Sequence, residues 1–216
     1  LQVISGYAEL MKNDMVQPSD RQKFAALIYD EAQTMRSLIN DVLTLSKLDE
    51  SAFENDGATA INLYAVAQRV AGRLSSFADD QGVRVRVEGA SACIAGSETL
   101  AEEMLYNLIE NGIRYNHEGG LVTMKVGSEC VEGGLANAAY QTVVRVSDTG
   151  PGIPAELHDK VFERFFRVDK SRSKETGGTG LGLAIVKHAV MYHGGVIEVE
   201  SAEGQGTTFV LRFPSA

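Results

Sequence analysis

The run Gly178-Thr179-Gly180-Leu181-Gly182-Leu183-Ala184-Ile185-Val186 restricts what this chain can build more than any other stretch. Its glycines alternate up to the start of an apolar helical pattern. Lacking Cβ atoms, they let backbone amides approach a ligand closely, and the helix behind them presents unpaired N–H groups and a positive dipole end. Phosphate suits such a place. Taken alone, the same residues also describe a tight loop packed on a sheet, so the reading depends on their surroundings.

Four other segments stand in order around that run. They are Asn107-Leu108-Ile109-Glu110-Asn111-Gly112-Ile113-Arg114-Tyr115, then Asp148-Thr149-Gly150-Pro151-Gly152, then Phe162-Glu163-Arg164-Phe165-Phe166-Arg167, and last Gly204-Gln205-Gly206-Thr207-Thr208-Phe209. Each is degenerate singly. In this order and spacing the set resembles sensor histidine kinases, whose ATP-binding domain is related to those of gyrase, MutL and a heat-shock chaperone. The resemblance runs over nearly the whole chain. It implies an α+β fold: a two-layer α/β sandwich of the Bergerat type, with a mixed sheet packed on helices, preceded by an antiparallel helical hairpin.

Composition agrees with a globular chain: 216 residues, 44% hydrophobic and 23% charged, enough for a sizeable core. A formal charge of −9 argues against nucleic acid as a partner, because phosphate backbones call for a basic face. The only two cysteines, Cys93 and Cys130, lack metal-site spacing and read as free thiols of a reducing compartment. No run is long enough to cross a bilayer. Leu1 opens directly onto a helical pattern with no start methionine or capping residue, which reads as a fragment. The resemblance then implies the cytoplasmic portion of a sensor anchored to a membrane upstream.

Residues 1 to about 50 read as two helices. The first, Leu1 to about Val16, spaces Ile4, Ala8 and Met11 helically and stops near Gln17-Pro18-Ser19-Asp20, where Ser19 or Asp20 can cap the second. The second places Phe24, Ile28, Glu31, Met35, Leu38, Val42 and Leu45 at alternating steps of four and three, a seam interrupted only by Glu31. A two-helix hairpin cannot bury that seam alone. Either a second copy completes a four-helix bundle, making a homodimer through residues 1–50, or the hairpin folds onto its own globular domain.

The polar stretch from Glu50 to Thr59 marks a linker, so the expected units are 1–56 and 57–216. Beyond it, Leu63, Val66, Val70 and Leu74 suggest a helix, and Val83-Arg84-Val85-Arg86-Val87-Glu88 alternates as a half-buried strand. Ser97 can cap a helix carrying Leu100, Met104, Leu105 and Leu108. Strands are expected near 121–127 and 141–148, then a helix over about 180–192, then strands near 196–201 and 207–213. Blocks of strands with hairpin-like connections favour a mixed sheet over a doubly wound one.

On a helix, Asn107 and Asn111 share one face and Arg114 lies one turn later. An amide oxygen suits Mg²⁺, which keeps waters and takes further ligands from phosphate. The resemblance implies that Asn111 is the direct Mg²⁺ ligand, that Asn107 supports metal and phosphates, and that Arg114 and Tyr115 face the nucleotide. Related hydrolytic ATPases have a glutamate base where Asn107 stands; an amide cannot take that proton, so the γ-phosphate is kept for another acceptor. Asp148 is implied to accept from the adenine amino group, with Gly150, Gly152 and Ile153 beside the base and Thr207 supporting it through its hydroxyl. Backbone amides of Gly178, Thr179, Gly180, Leu181, Gly182 and Leu183 would receive the phosphates.

The phenylalanine segment is expected to anchor a lid, with Arg167 reaching the terminal phosphate as a planar cation. Residues 171–176 are polar and patternless, consistent with a lid that orders on nucleotide. Asn107, Arg114 and Arg167 would carry the transfer, with ATP and Mg²⁺ as cofactors. A bland reading of each segment exists: a polar helix face, an Asp-containing turn, a solvated basic helix, a hairpin turn.

The four histidines, His117, His158, His188 and His193, read as surface or structural residues. The family's acceptor lies in a motif like H-E-L-(K/R)-T-P-L. Leu1-Gln2-Val3-Ile4-Ser5-Gly6 resembles the residues just after that motif's proline, which puts the acceptor upstream of Leu1 and leaves this chain unable to phosphorylate itself. The implied activity is transfer of the ATP γ-phosphate to a histidine and thence to a response-regulator aspartate, so the implied partner is a receiver domain. Two alternatives remain: a serine kinase of the anti-sigma-factor type, and a degenerate nucleotide-sensing dimerisation module.

Overall fold

A computed structural model describes residues 2–50, 59–131, 139–168 and 178–215. The first helix, α1 (Gln2–Lys12), is shorter than its apolar spacing suggests. Residues 13–16 leave the helix through Asp14, whose φ of 52° is a left-handed conformation that, after glycine, Asn and Asp tolerate best. A single tight turn, Pro18–Asp20, then runs directly into α2 (Arg21–Glu50). Tyr7 meets Phe24 edge-on with centroids 5.3 Å apart, which sets α1 antiparallel against the N-terminal half of α2.

The seam of α2 is only half used. Phe24, Ile28, Glu31 and Met35 are half-buried and Leu45 is buried, whereas Leu38 and Val42 stay 36% and 43% exposed. Leu45 is covered by Leu181, Ala184 and Ile185 of the globular part. The hairpin therefore packs partly on its own domain and still presents an apolar stripe. The linker expected over 50–59 lies largely outside the described residues; Thr59 already belongs to a strand.

Five strands build the main sheet of the globular part: β2 (Arg84–Gly89), β4 (Leu121–Val131), β5 (Ala139–Asp148), β6 (Val196–Ser201) and β7 (Thr207–Pro214). They lie in the order β2-β4-β5-β7-β6, with helices on one face. Only β2 and β4 pair in parallel; the other three pairings are antiparallel, so the sheet is mixed as expected. β4 runs past the expected residue 127 and β5 begins before 141, which makes a long hairpin whose tip lies outside the described residues. A separate ribbon of β1 (Thr59–Asn62) and β3 (Cys93–Gly96) is not legible in the sequence. Four residues carry too little alternation to register as a strand.

Three helices cover the sheet: α3 (Leu63–Arg73), α5 (Glu98–Arg114) and α6 (Gly182–Tyr192), with a short α4 (Ser75–Asp80) after α3. Asn62 caps α3, accepting from the N–H groups of Tyr64 and Ala65. Ser97 caps α5 as expected, accepting from Leu100 N–H at 3.4 Å. The core lies between helices and sheet: Met104, Leu105, Leu108 and Ile109 of α5 meet Val122, Met124, Val144 and Leu211, all essentially inaccessible. Each such side chain contributes roughly 1.5–3 kcal/mol by leaving water, so a Leu108→Ala cavity would cost about 2–5 kcal/mol. This packing fixes α5 against the sheet and, through it, the direction in which the Asn107 face points.

His193 ties the far ends of two helices together. Its Nδ1–H donates to Ala189 carbonyl at 2.7 Å, so Nε2 accepts from Ser97 N–H at 3.2 Å. Burial holds its pKa below the ordinary value, against the raising effect of the carbonyls of Ala189 and Ser97, the latter also 3.2 Å from Nε2.

Candidate nucleotide site

A cleft of about 1260 Å³ opens between α2, α5, the end of β5 and the 178–182 run. Asn107, Asn111, Arg114, Tyr115, Asp148, Gly152, Ile153, Arg167, Gly178, Thr179, Gly180, Gly182, Leu183 and Thr207 all line it. Residues spread over a hundred positions thus share one cavity.

On the α5 side, Asn107 donates its amide N–H to Glu103 carbonyl at 2.9 Å. That orients its oxygen toward the start of α6, where a Cβ on Gly182 would stand 2.6 Å away. Asn111 lies one helical turn later on the same face. Arg114 pairs with Glu110 at 2.7 Å and lies over the Phe77 ring, 5.5 Å from its centroid. Its guanidinium is thereby held at the cavity rather than swinging in solvent.

Asp148 ends β5, paired with Val122 on one side and Thr207 on the other. One carboxylate oxygen accepts from Gly150 N–H at 2.8 Å. Burial raises its pKa above the ordinary carboxylate value, and backbone bonds from Gly150 and Thr207 act against the rise. Gly150 does not line the cleft; it shapes Asp148 from behind. Gly206 has φ 79°, and a Cβ there would lie 2.1 Å from Asp148 carbonyl oxygen, so only glycine fits.

Thr207 sits beside Asp148 and is 6% exposed. Ser201 Oγ accepts from Ile153 N–H and donates to Gly206 carbonyl, both at 2.8 Å. Thr207 must therefore donate across its 3.0 Å contact with Ser201, which leaves its oxygen able to accept from a ligand. Asn116, which no sequence motif singles out, locks the loop after α5. It accepts from Thr149 hydroxyl at 3.1 Å and donates to the carbonyls of Gly112 and Leu121.

At the glycine run, Thr179 accepts Leu181 N–H at 3.2 Å and donates to Asp41 Oδ2 of α2 at 2.8 Å. This corrects one expectation. Leu181 is wholly buried and its amide is already bonded to Thr179, so that N–H is not offered to an anion, whereas the amides of the first turn behind it, Gly182 and Leu183 among them, have no intrahelical partner. Helix α6 also begins at Gly182 rather than at residue 180. Phe165 donates its backbone N–H to Gly180 carbonyl at 2.9 Å, with φ 63° and its ring 60% exposed. Phe162, of the same segment, packs edge-on to Phe209 at 6.2 Å. Arg167 donates to Gly178 carbonyl and lines the cleft. The lid expected over 171–176 lies outside the described residues.

Ser37, Asn40 and Asp41 of α2 also face the cleft. Nothing in the sequence separates them from the polar side of an amphipathic helix. Among the described residues, no group of three or more His, Cys, Asp and Glu could hold a metal ion. The donor set, amide oxygens of Asn107 and Asn111 beside an anion loop, fits an ion that brings most of its ligands as water and phosphate, which is the habit of Mg²⁺.

Comparison with known proteins agrees with this geometry. Residues 96–216 match the family model described as histidine kinase-, DNA gyrase B-, and HSP90-like ATPase, and residues 1–51 match the His Kinase A (phospho-acceptor) domain. The chain is 34% identical over 195 residues to the sensor-like histidine kinase SenX3 of Mycobacterium tuberculosis, covering 90% of this chain and 45% of that protein. It is 38% identical over 186 residues to the sensor protein IrlS of Burkholderia pseudomallei, covering 86% and 38%. It therefore spans less than half the length of either relative. Among solved structures, full-length ShkA in complex with AMPPNP superposes with a TM-score of 0.71 at 28% identity, over 100% of this chain and 43% of that one. With one family model over the sandwich, a second over the hairpin and a relative 34% identical across 90% of its length, this chain belongs to the histidine kinase family.

Proposed function

We propose that the chain is the ATP-binding and hairpin portion of a two-component sensor kinase, binding Mg·ATP in the cleft and delivering its γ-phosphate to a histidine. The observation that carries this reading is the convergence of Asn107, Asn111, Asp148 and the 178–182 run on one cavity. In it, Asp148 accepts from the adenine amino group and Thr207 supports the base through its acceptor oxygen. Gly182, Leu183 and Arg114 receive the phosphates. Mg²⁺, held through Asn111 with Asn107 in support, neutralises charge on the transferring group. Arg167 exchanges its bond to Gly178 for the terminal phosphate. No carboxylate stands at position 107 to deprotonate water, so phosphate is retained for the acceptor. Catalysis rests on positioning and charge neutralisation. The AMPPNP bound by the similar ShkA supports the choice of nucleotide.

We further propose units of 1–56 and 57–216, a dimer through residues 1–50, and a receiver domain as the onward partner, in a protein whose kinase portion is cytoplasmic. Within residues 1–51 there is no histidine, so acceptor chemistry on this hairpin needs one supplied. The test is to join a helical segment carrying an H-E-L-R-T-P-L motif ahead of Leu1 and incubate with γ-labelled ATP. Acid-labile phosphate should appear on the extended chain and be absent from the 216-residue chain. Alkali-labile, acid-stable label would favour a serine kinase; no label on the extended chain would favour a nucleotide-sensing module.

A further inference from the structure

Of the three polar residues that α2 turns to the cleft, Asp41 is hydrogen-bonded to the glycine run. Asp41 Oδ2 accepts the Thr179 hydroxyl at 2.8 Å, and one turn along α2 Leu45 closes over Leu181, Ala184 and Ile185. The polar contact and the apolar one grip the same structure, the loop and first turn that precede the proposed phosphate site. Thr179 has no hydroxyl hydrogen left once it donates to Asp41. The carboxylate is half-buried, lies beside the run whose amides would face an anion, and shares its cavity with Glu110 on α5. Its pKa is raised by burial first and by Glu110 last, with the Thr179 bond opposing, so the surroundings already disfavour one negative charge there.

We propose that Asp41 is a negative determinant of nucleotide affinity, contributed by the hairpin: while it holds Thr179 it sets a carboxylate beside the phosphate loop, so phosphate binding and the docked position of α2 oppose each other. This rests on the cleft being a nucleotide site. Two charges separated by less than a Debye length at a half-buried site are only partly screened, so a polyphosphate meets a residual repulsion. A neutral nucleoside does not. Linkage makes the effect reciprocal: phosphate that is resisted by docked α2 loosens α2 to the same extent.

The test compares the full chain with Asp41→Asn, an isostere that keeps an oxygen for Thr179 and removes the charge. Calorimetry with Mg·AMPPNP should give an affinity about tenfold higher for the variant, on the order expected from one partly screened charge. Adenosine affinity should be equal in the two proteins. As a second measurement, saturating Mg·AMPPNP should raise hydrogen exchange in α2 around Leu45 of the parent chain, and adenosine should not. Equal AMPPNP affinity in a folded variant overturns the proposal, as does an equal gain for adenosine, which would make Asp41 a shape determinant. If the parent chain binds neither ligand, the nucleotide reading itself fails; if it binds AMPPNP and the variant binds no better, only the role of Asp41 fails.

Discussion

Gly182 passes so close to Asn107 that a Cβ on it would lie 2.6 Å from the Asn107 amide oxygen, itself held in place by the bond to Glu103. This contact joins the start of α6 to the asparagine face of α5. Gly182→Ala sets two effects against each other. Alanine in place of glycine improves helix propensity by up to about 1 kcal/mol, whereas the clash costs about 1–3 kcal/mol and falls on the site alone. The melting temperature should move little, and Mg·AMPPNP affinity should fall by roughly fivefold to a hundredfold in calorimetry. A variant with parent-like affinity would mean that Asn107 yields freely and does not position the loop.

Asp148→Asn separates stability from binding. A carboxylate whose pKa is raised by burial favours the fold below its unfolded pKa and loses that contribution as pH rises through the folded value. At neutral pH the ionised Asp148 is therefore a cost to the ligand-free protein, and the neutral amide should leave its melting temperature equal or higher. Adenine-nucleotide affinity should drop about tenfold to a hundredfold, since a hydrogen bond to a charged group contributes roughly 1.5–3 kcal/mol. Unchanged ADP affinity in a folded variant would remove Asp148 from adenine recognition.

His193 has the opposite pH signature. Its pKa is lowered by burial, so its contribution is complete above the ordinary histidine value near 6.5 and is lost as pH falls through the folded value. Protonation would put a charge on a buried ring and end the bond that Nε2 accepts from Ser97 N–H, with the Ser97 carbonyl, also 3.2 Å from Nε2, left to receive the new N–H. Urea unfolding at pH 8 and pH 5 should reveal a larger acid loss in the parent chain than in His193→Gln, with carboxylate contributions common to both. Equal losses would show that His193 does not carry this titration.

Leu38 and Val42 remain exposed on the seam that α1 leaves uncovered. If a second hairpin covers them, Leu38→Lys with Val42→Lys should turn a sedimenting dimer into a monomer without changing the melting of the globular part, because two like charges one turn apart cannot pair with each other and do not survive an apolar interface. A parent chain that is monomeric at high micromolar concentration would contradict the shared bundle.

The long periodic elements were legible in the sequence: the α2 seam, the alternation of β2, the cap of α5. The residues gathered in the cleft were legible only through the family resemblance that the five segments carry in their order, since each segment alone also fits a turn or a polar helix face. What escaped depends on contacts between segments distant in the chain. Leu181 looks like one more amide of the glycine run, yet it is buried under Leu45 and bonded to Thr179. Asp41 looks like a surface charge until α2 is laid against α6. The aromatics of the phenylalanine segment read alike, yet Phe165 holds Gly180 through its backbone and leaves its ring exposed. Local propensity dictates none of these.

A Mg·ATP site in this cleft is tested most directly by calorimetry of the 216-residue chain with AMPPNP, with and without Mg²⁺, beside Asn111→Ala. One nucleotide should bind per chain, more tightly when Mg²⁺ is present, and the variant should lose most of that Mg²⁺-dependent gain. Its residual metal-free affinity should match the parent, because the adenine contacts proposed for Asp148 and Thr207 would be untouched. Absence of binding by the folded parent chain at millimolar AMPPNP, or a Mg²⁺ gain that survives in Asn111→Ala, would contradict the proposed site.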